Sequence, residues 1–223
     1  MLDALLSVLL PARCAVCGLP GTSLCTACRT AFIRLREPVC ERCGSPGPWP
    51  VRRCAECAGR RIAFVQARAA VVYDDRARRL VREWKEHGRR ELAEAAAGLV
   101  LEVVPRPQAA EALVYVPGDP ERAWERGDVG PRRLARALGE RWQLPTLNLL
   151  RRLHAQQRQR GLTLAERRRN VRGSVVATRG SPGAVCLVDD VYTSGATADA
   201  CAVALRKAGA TRVEVVTLAR AVR

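Results

Sequence analysis

Four CxxC pairs fall within the first 57 residues of the chain: Cys14/Cys17, Cys25/Cys28, Cys40/Cys43 and Cys54/Cys57. Two residues between cysteines make a tight knuckle whose thiolates can share one face of a metal ion, and two knuckles complete a tetrahedral site. Seven residues separate Cys17 from Cys25 and ten separate Cys43 from Cys54, so the spacing predicts two successive zinc ribbons. Pairing first with second and third with fourth needs the shortest loops, and an interleaved pairing stays open at this level. A disulfide framework requires an oxidising compartment, which nothing in the sequence indicates. Four copies also exceed any redox need. So short a segment, rich in Gly and Pro, cannot fold on its own core, and bound metal must supply the stability. Eight thiolates and two Zn²⁺ sum to −4, which nearly cancels the +5 from nine arginines and four acids through Ile62. A metallated ribbon close to neutrality predicts a structural or docking role.

The pattern changes after residue 62, and the chain divides into an N-terminal helix with a double ribbon (1–62) and a second domain (63–223). "FVQARAAVVY" (64–73) reads as a strand or hairpin arm, 75–85 as a helix, and 88–104 as a helix with an apolar stripe at i, i+3, i+4 spacing. "ALVYVP" (112–117) reads as a strand, Pro131 to Trp142 as a helix, 184–191 as a strand, 197–208 as a helix and "RVEVVTLAR" as a final strand. Alternating strands and helices predict an α/β fold: a mainly parallel sheet flanked by helices, with ligands received beyond the carboxyl ends of the strands. Cys186 and Cys201 lie on apolar faces of a strand and a helix and read as small buried hydrophobes.

The net charge is +16, and 36 of the 38 basic residues are arginines, since Lys85 and Lys207 are the lysines. Arg151 to Arg172 hold eight arginines against Glu166, or +7 in one stretch. Such density predicts a polyanionic partner: a pyrophosphate, a nucleotide or a nucleic-acid backbone. No stretch reaches the roughly 20 apolar residues of a membrane span. The run Leu2 to Leu10 lacks a basic flank and a cleavage site, so it reads as a short amphipathic helix packed on the body. The expected location is cytoplasmic, with peripheral membrane contact through that run as the lesser alternative.

The segment "LVDDVYTSGAT" (187–197) sets two carboxylates before a turn of small and hydroxyl residues. Gly195 permits close backbone approach, Thr193, Ser194 and Thr197 add hydroxyls, and successive backbone N–H groups with the positive end of the following helix complete an anion cup. Asp189 and Asp190 would repel a bare triphosphate but suit a sugar diol, because carboxylates accept strongly from O–H donors. A ribose 5-phosphate satisfies both halves. No Gly-Lys-Ser/Thr and no strand-linked GxGxxG occur, which removes the Walker and dinucleotide-binding readings.

"LVDDVYTSGAT" resembles the phosphoribosyl pyrophosphate signature of type I phosphoribosyltransferases. Together with the four CxxC pairs, the whole chain is similar to the ComF/GntX-like proteins, a double zinc ribbon fused to a phosphoribosyltransferase domain. The resemblance implies phosphoribosyl pyrophosphate binding by Asp189, Asp190, Thr193, Ser194, Gly195, Ala196 and Thr197, with the two aspartates also catalytic. It implies pyrophosphate contacts from Pro117, Arg122, Arg126, Gly127 and Lys85, and a lid carrying Gln159, Arg167 and Asn170. Mg²⁺ would arrive with the pyrophosphate, beside two structural zinc ions. The loop departs from the family pattern at Gly118-Asp119 and Asp128-Val129-Gly130. Two functions follow as expectations. One is phosphoribosyl transfer to a nitrogenous acceptor; the other is a non-catalytic competence protein of DNA uptake that holds single-stranded DNA. Competence or DNA-processing proteins docking on the ribbon are expected partners.

Overall fold

The computed structural model describes residues 12–118, 130–153 and 173–222. Helix α1 (Thr26–Thr30) is one short turn inside the first cysteine cluster. Then follow β1 (Gln66–Val72), α2 (Asp75–Glu86), α3 (Leu92–Leu101), β2 (Ala112–Tyr115), α4 (Gly130–Trp142), β3 (Thr146–Leu147), β4 (Leu150–Arg152), β5 (Val175–Ala177), β6 (Ala184–Tyr192), α5 (Ala196–Lys207) and β7 (Arg212–Arg220). Five strands form one sheet in the order β1-β7-β6-β2-β3, and every pairing in it is parallel. Strands β4 and β5 pair antiparallel as a separate ribbon. The expected α/β class is what the chain adopts, and residues 66–72 are a parallel strand rather than a hairpin arm.

Alternation along the strands divides the interior into two cores. Leu113, Cys186, Val188, Val216 and Leu218 pack against α2, α3 and α4 on one face. Val114, Val185, Leu187, Val213 and Val215 pack on the other face against α5 and the β4–β5 pair. Leu80, Leu99, Leu134 and Leu138 are fully buried in the first core; burying a leucine contributes about 2 kcal/mol. Asp74 starts α2 by accepting from the Ala77 N–H at 2.9 Å. Cys186 and Cys201 are buried, as expected of packing residues.

The helices that follow β2 and β6 cover opposite faces: α4 belongs to the first core and α5 to the second. Because β2 and β6 are neighbours, their carboxyl ends flank a topological switch point, where open parallel sheets receive ligands. The cysteine-rich region closes the opposite edge. Residues 33–35 run antiparallel beside β1, with the Leu35 N–H donating to Ala70 O and the Val72 N–H to Ile33 O, both at 2.9 Å. That pairing covers an otherwise bare sheet edge. Glu102, just past α3, receives Arg29 at 2.5 Å and Arg34 at 2.6 Å. Burial alone would raise its carboxyl; the two guanidiniums, Arg34 first, outweigh that and hold it low.

Candidate functional site

Strand β6 carries the acidic pair to the carboxyl edge of the sheet. Val185 and Leu187 face α5 while Cys186 and Val188 face α2 to α4. The same alternation turns Asp189 toward α5 and Asp190 toward α2. Asp190 is 3% exposed and forms an ion pair with Lys85 from the last turn of α2. Asp189 stays half-buried, and its Oδ1 accepts the Asp190 N–H at 2.9 Å.

Burial opposes every charge in this trio, and the partners decide the outcome. Lys85 is held above its ordinary value because Asp190, then Asp189, outweigh its burial. Asp190 is pushed up by burial but pulled further down by Lys85, so its net shift is downward. Asp189 moves the other way, raised well above the carboxylate range by burial first and by the Asp190 charge second. The pair titrates as one unit in which Asp190 is the ionised member.

The turn after Tyr192 is the stretch expected to form an anion cup. Gly195 has φ +72°, a left-handed conformation that glycine adopts without strain. It caps α5 with no side-chain hydrogen bond, so the first-turn amides face the mouth. Ser194 is buried and its Oγ accepts from the Ala196 N–H at 3.3 Å; Thr193 is exposed and Thr197 half-buried. The Asp189–Asp190 pair and residues 193–197 therefore share one corner of the switch point with Lys85 and Pro117.

Arg152 is not singled out by the sequence within the basic segment, and it belongs here. It ends β4 at 9% exposure, and its Nη2 donates to Pro117 O at 3.4 Å. Its Nε and Nη1 have no hydrogen-bond partner among the described residues. A buried guanidinium with unspent donors is suited to meeting an anion. The sequence signal was available: Arg152 is the second residue of the +7 segment.

The eight N-terminal cysteines gather sequentially into Cys14/Cys17/Cys25/Cys28 and Cys40/Cys43/Cys54/Cys57, with the four sulfurs of each set within 4.8 Å of one another. Sulfur separations include 3.8 Å for Cys17–Cys25, 3.7 Å for Cys40–Cys57 and 3.4 Å for Cys43–Cys54. Four sulfurs at about 2.3 Å from Zn²⁺ define a tetrahedron with edges of about 3.8 Å, so both sets fit zinc. The Cys25 N–H donates to Cys14 Sγ at 3.5 Å and the Cys54 N–H to Cys40 Sγ at 3.3 Å, bonds that favour thiolate. The interleaved pairing is excluded.

Residues 5–59 match the double zinc ribbon domain. The chain is 29% identical to "DNA utilization protein YhgH" of Salmonella typhimurium, over 94% of this chain and 97% of that protein. It is 27% identical to "Competence protein F" of Haemophilus influenzae over the same shares. Along nearly its whole length the chain is therefore similar to proteins named for DNA utilization and competence. The crystal structure of TT1426 from Thermus thermophilus aligns at 20% identity and a TM-score of 0.33, covering 57% of this chain and 82% of that one.

Arg122, Arg126 and Gly127 of the expected pyrophosphate loop lie outside the described residues, as do Gln159, Arg167 and Asn170 of the expected lid and the apolar run Leu2 to Leu10. Lys85, expected at the pyrophosphate, forms an ion pair with Asp190. Among the described residues no helix is long and apolar enough to cross a membrane. Along α5 runs a groove of about 1560 Å³, walled by Arg53, Arg60, Arg61, Arg179 and Lys207. Asp199 is the acid among its lining residues, and it already accepts the Ala63 N–H at 2.7 Å.

Proposed function

We propose that this chain binds phosphoribosyl pyrophosphate at the β2/β6 switch point and transfers the phosphoribosyl group to a nitrogenous acceptor with release of pyrophosphate. The observation that carries this reading is the pairing of two unlike subsites in one corner: the aspartates of β6 and the glycine-capped start of α5. The 5-phosphate enters the turn 193–197, where backbone amides and the helix end favour an anion. The ribose diol faces Asp189 and Asp190, and Lys85 fixes Asp190 in its ionised form. Arg152 offers two donors to the pyrophosphate, which is the leaving group at the anomeric carbon. Charge leaves with it, so donors positioned there favour the transition state over the ground state. Mg²⁺ bound with the pyrophosphate would neutralise part of its charge, and Asp189 and Asp190 are the acidic side chains beside it.

Calorimetry with phosphoribosyl pyrophosphate plus Mg²⁺ tests binding, and acceptor-dependent pyrophosphate release tests transfer. Asp189→Asn and Arg152→Met should each weaken binding at least tenfold; unchanged affinity in both would remove the proposal.

A second reading concerns nucleic acid, since the two curated relatives are named for DNA utilization and competence. The basic groove along α5 favours it, because five cations with one committed carboxylate suit a phosphate backbone. Trp142 is buried and offers no stacking platform, whereas Trp49 on the second ribbon is 66% exposed. Leu19 and Ile33 are also exposed on the cysteine-rich region, apolar surface suited to a protein partner. Single-stranded oligonucleotide affinity should fall with log salt at a slope of about −3 if most of the five cations engage phosphates. A slope near zero, or no change on Arg179→Glu with Lys207→Glu, rejects the groove.

A further inference from the structure

Arg220, the last residue of β7, is 1% exposed and neutralised from one direction only. Its Nη1 donates to Cys43 O at 2.7 Å, and its Nη2 lies 3.7 Å from Cys43 Sγ and donates to Glu56 Oε2 at 2.6 Å. Cys43 is a ligand of the second zinc set, and Glu56 sits inside that set's last knuckle, between Cys54 and Cys57. A guanidinium this buried depends on its partners, and both anionic ones belong to the metal site.

The other side of the guanidinium covers the Tyr192 ring, 4.6 Å from its centroid. Phe64 braces that ring edge-on at 6.3 Å. Tyr192 is the residue before the anion turn, and its ring lies flush on Gly195, where an added Cβ would stand 2.6 Å from Cζ. Its hydroxyl has no hydrogen-bond partner among the described residues. Packing, not hydrogen bonding, therefore places the ring.

We propose that Arg220 is a positioning residue that couples zinc occupancy of the second ribbon to the shape of the anion turn. Metal fixes the Cys43 carbonyl and sulfur, these fix Arg220, Arg220 pins Tyr192, and Tyr192 supports the turn at Gly195. By thermodynamic reciprocity, a ligand held in the turn tightens zinc in that ribbon. The ligand half rests on the sugar-phosphate reading above; the zinc-to-turn half does not.

The test uses the full zinc-loaded chain, Arg220→Lys and Tyr192→Leu, with ribose 5-phosphate as probe. Arg220→Lys keeps the charge and loses the two-donor fork; Tyr192→Leu removes the ring and leaves the zinc ligands untouched. Zinc is withdrawn by a chelator in two phases, the slower from the more buried second set. Hydrogen exchange at the amides of 193–197 should quicken as that slower phase proceeds in the wild type. Ribose 5-phosphate should slow the same phase about fivefold, and this protection should vanish in both variants while each still holds two zinc ions. Its dissociation constant should rise about fivefold in both. Exchange at 193–197 that ignores zinc withdrawal overturns the coupling, as does protection that survives in Tyr192→Leu. Zinc-dependent exchange with no ribose 5-phosphate binding upholds the zinc-to-turn coupling and overturns the sugar-phosphate reading instead.

Discussion

Replacing Gly195 by alanine separates two costs that the structure sets apart. The first is conformational: φ is +72°, and an L-residue held in that region loses about 1 kcal/mol. The second is steric. The new Cβ would meet Tyr192 Cζ at 2.6 Å and Cε2 at 3.1 Å, with the hydroxyl nearer still. That ring cannot swing away freely, because Arg220 covers one side and Phe64 meets its edge. Overpacking of a held side chain adds about 2 kcal/mol, giving about 3 kcal/mol in all.

Gly88 is the internal control. It has φ +64° and nothing within 4 Å of an added Cβ, so Gly88→Ala incurs the conformational cost of about 1 kcal/mol alone. At this chain length about 1 kcal/mol moves the thermal midpoint by about 3 °C. Circular dichroism melts in excess zinc should therefore show a drop of about 3 °C for Gly88→Ala and about 9 °C for Gly195→Ala. Adding Tyr192→Leu to Gly195→Ala removes the clash, so the double variant should be less destabilised than the two single losses added together. Equal losses at Gly88 and Gly195, or strict additivity in the double variant, would refute the claim that Tyr192 shapes the turn.

Other expectations follow from the same geometry. Asp189 has a raised folded-state pKa, so its stabilising share is complete at low pH, below its unfolded value, and is lost as pH rises through the folded one. Asp189→Asn should thus melt higher than wild type near neutrality, with the gap closing in acid, while ribose 5-phosphate binding is lost. Asp190 is depressed, so its share is present above the unfolded pKa and lost as pH falls through the folded value. Asp190→Asn should cost about 1–2 kcal/mol at neutral pH, a figure discounted because the Lys85 side chain is 41% exposed. Glu102→Gln should cost about 1 kcal/mol by loosening the first ribbon from α3, since Arg29 and Arg34 are partly solvated. Metal analysis should find two zinc ions per chain and one in Cys54→Ser.

What the sequence disclosed and withheld follows the range of each signal. The zinc sets were legible because their ligands lie within 15 and 18 residues of chain, and the two longest strands, β6 and β7, because nine apolar-rich residues declare themselves. Strands β3, β4 and β5 escaped notice: two or three residues carry no period. The cover that residues 33–35 give to β1 is a tertiary pairing with no local mark. Arg220 read as the last residue of a strand, and nothing near it announced Cys43, 177 positions earlier.

The acidic pair shows the same limit at the centre of the site. Two adjacent carboxylates beside an anion cup look self-defeating when written in a line. Strand alternation separates them, sending one toward each core, and Lys85, 105 positions before Asp190, meets the deeper of the two. Burial and the neighbouring charge then hold Asp189 toward its neutral form. The corner therefore sets Lys85 against Asp190 and biases Asp189 toward its protonated form. On the proposed reading that balance lets a phosphate approach the turn, and it comes from chain packing that no short motif encodes.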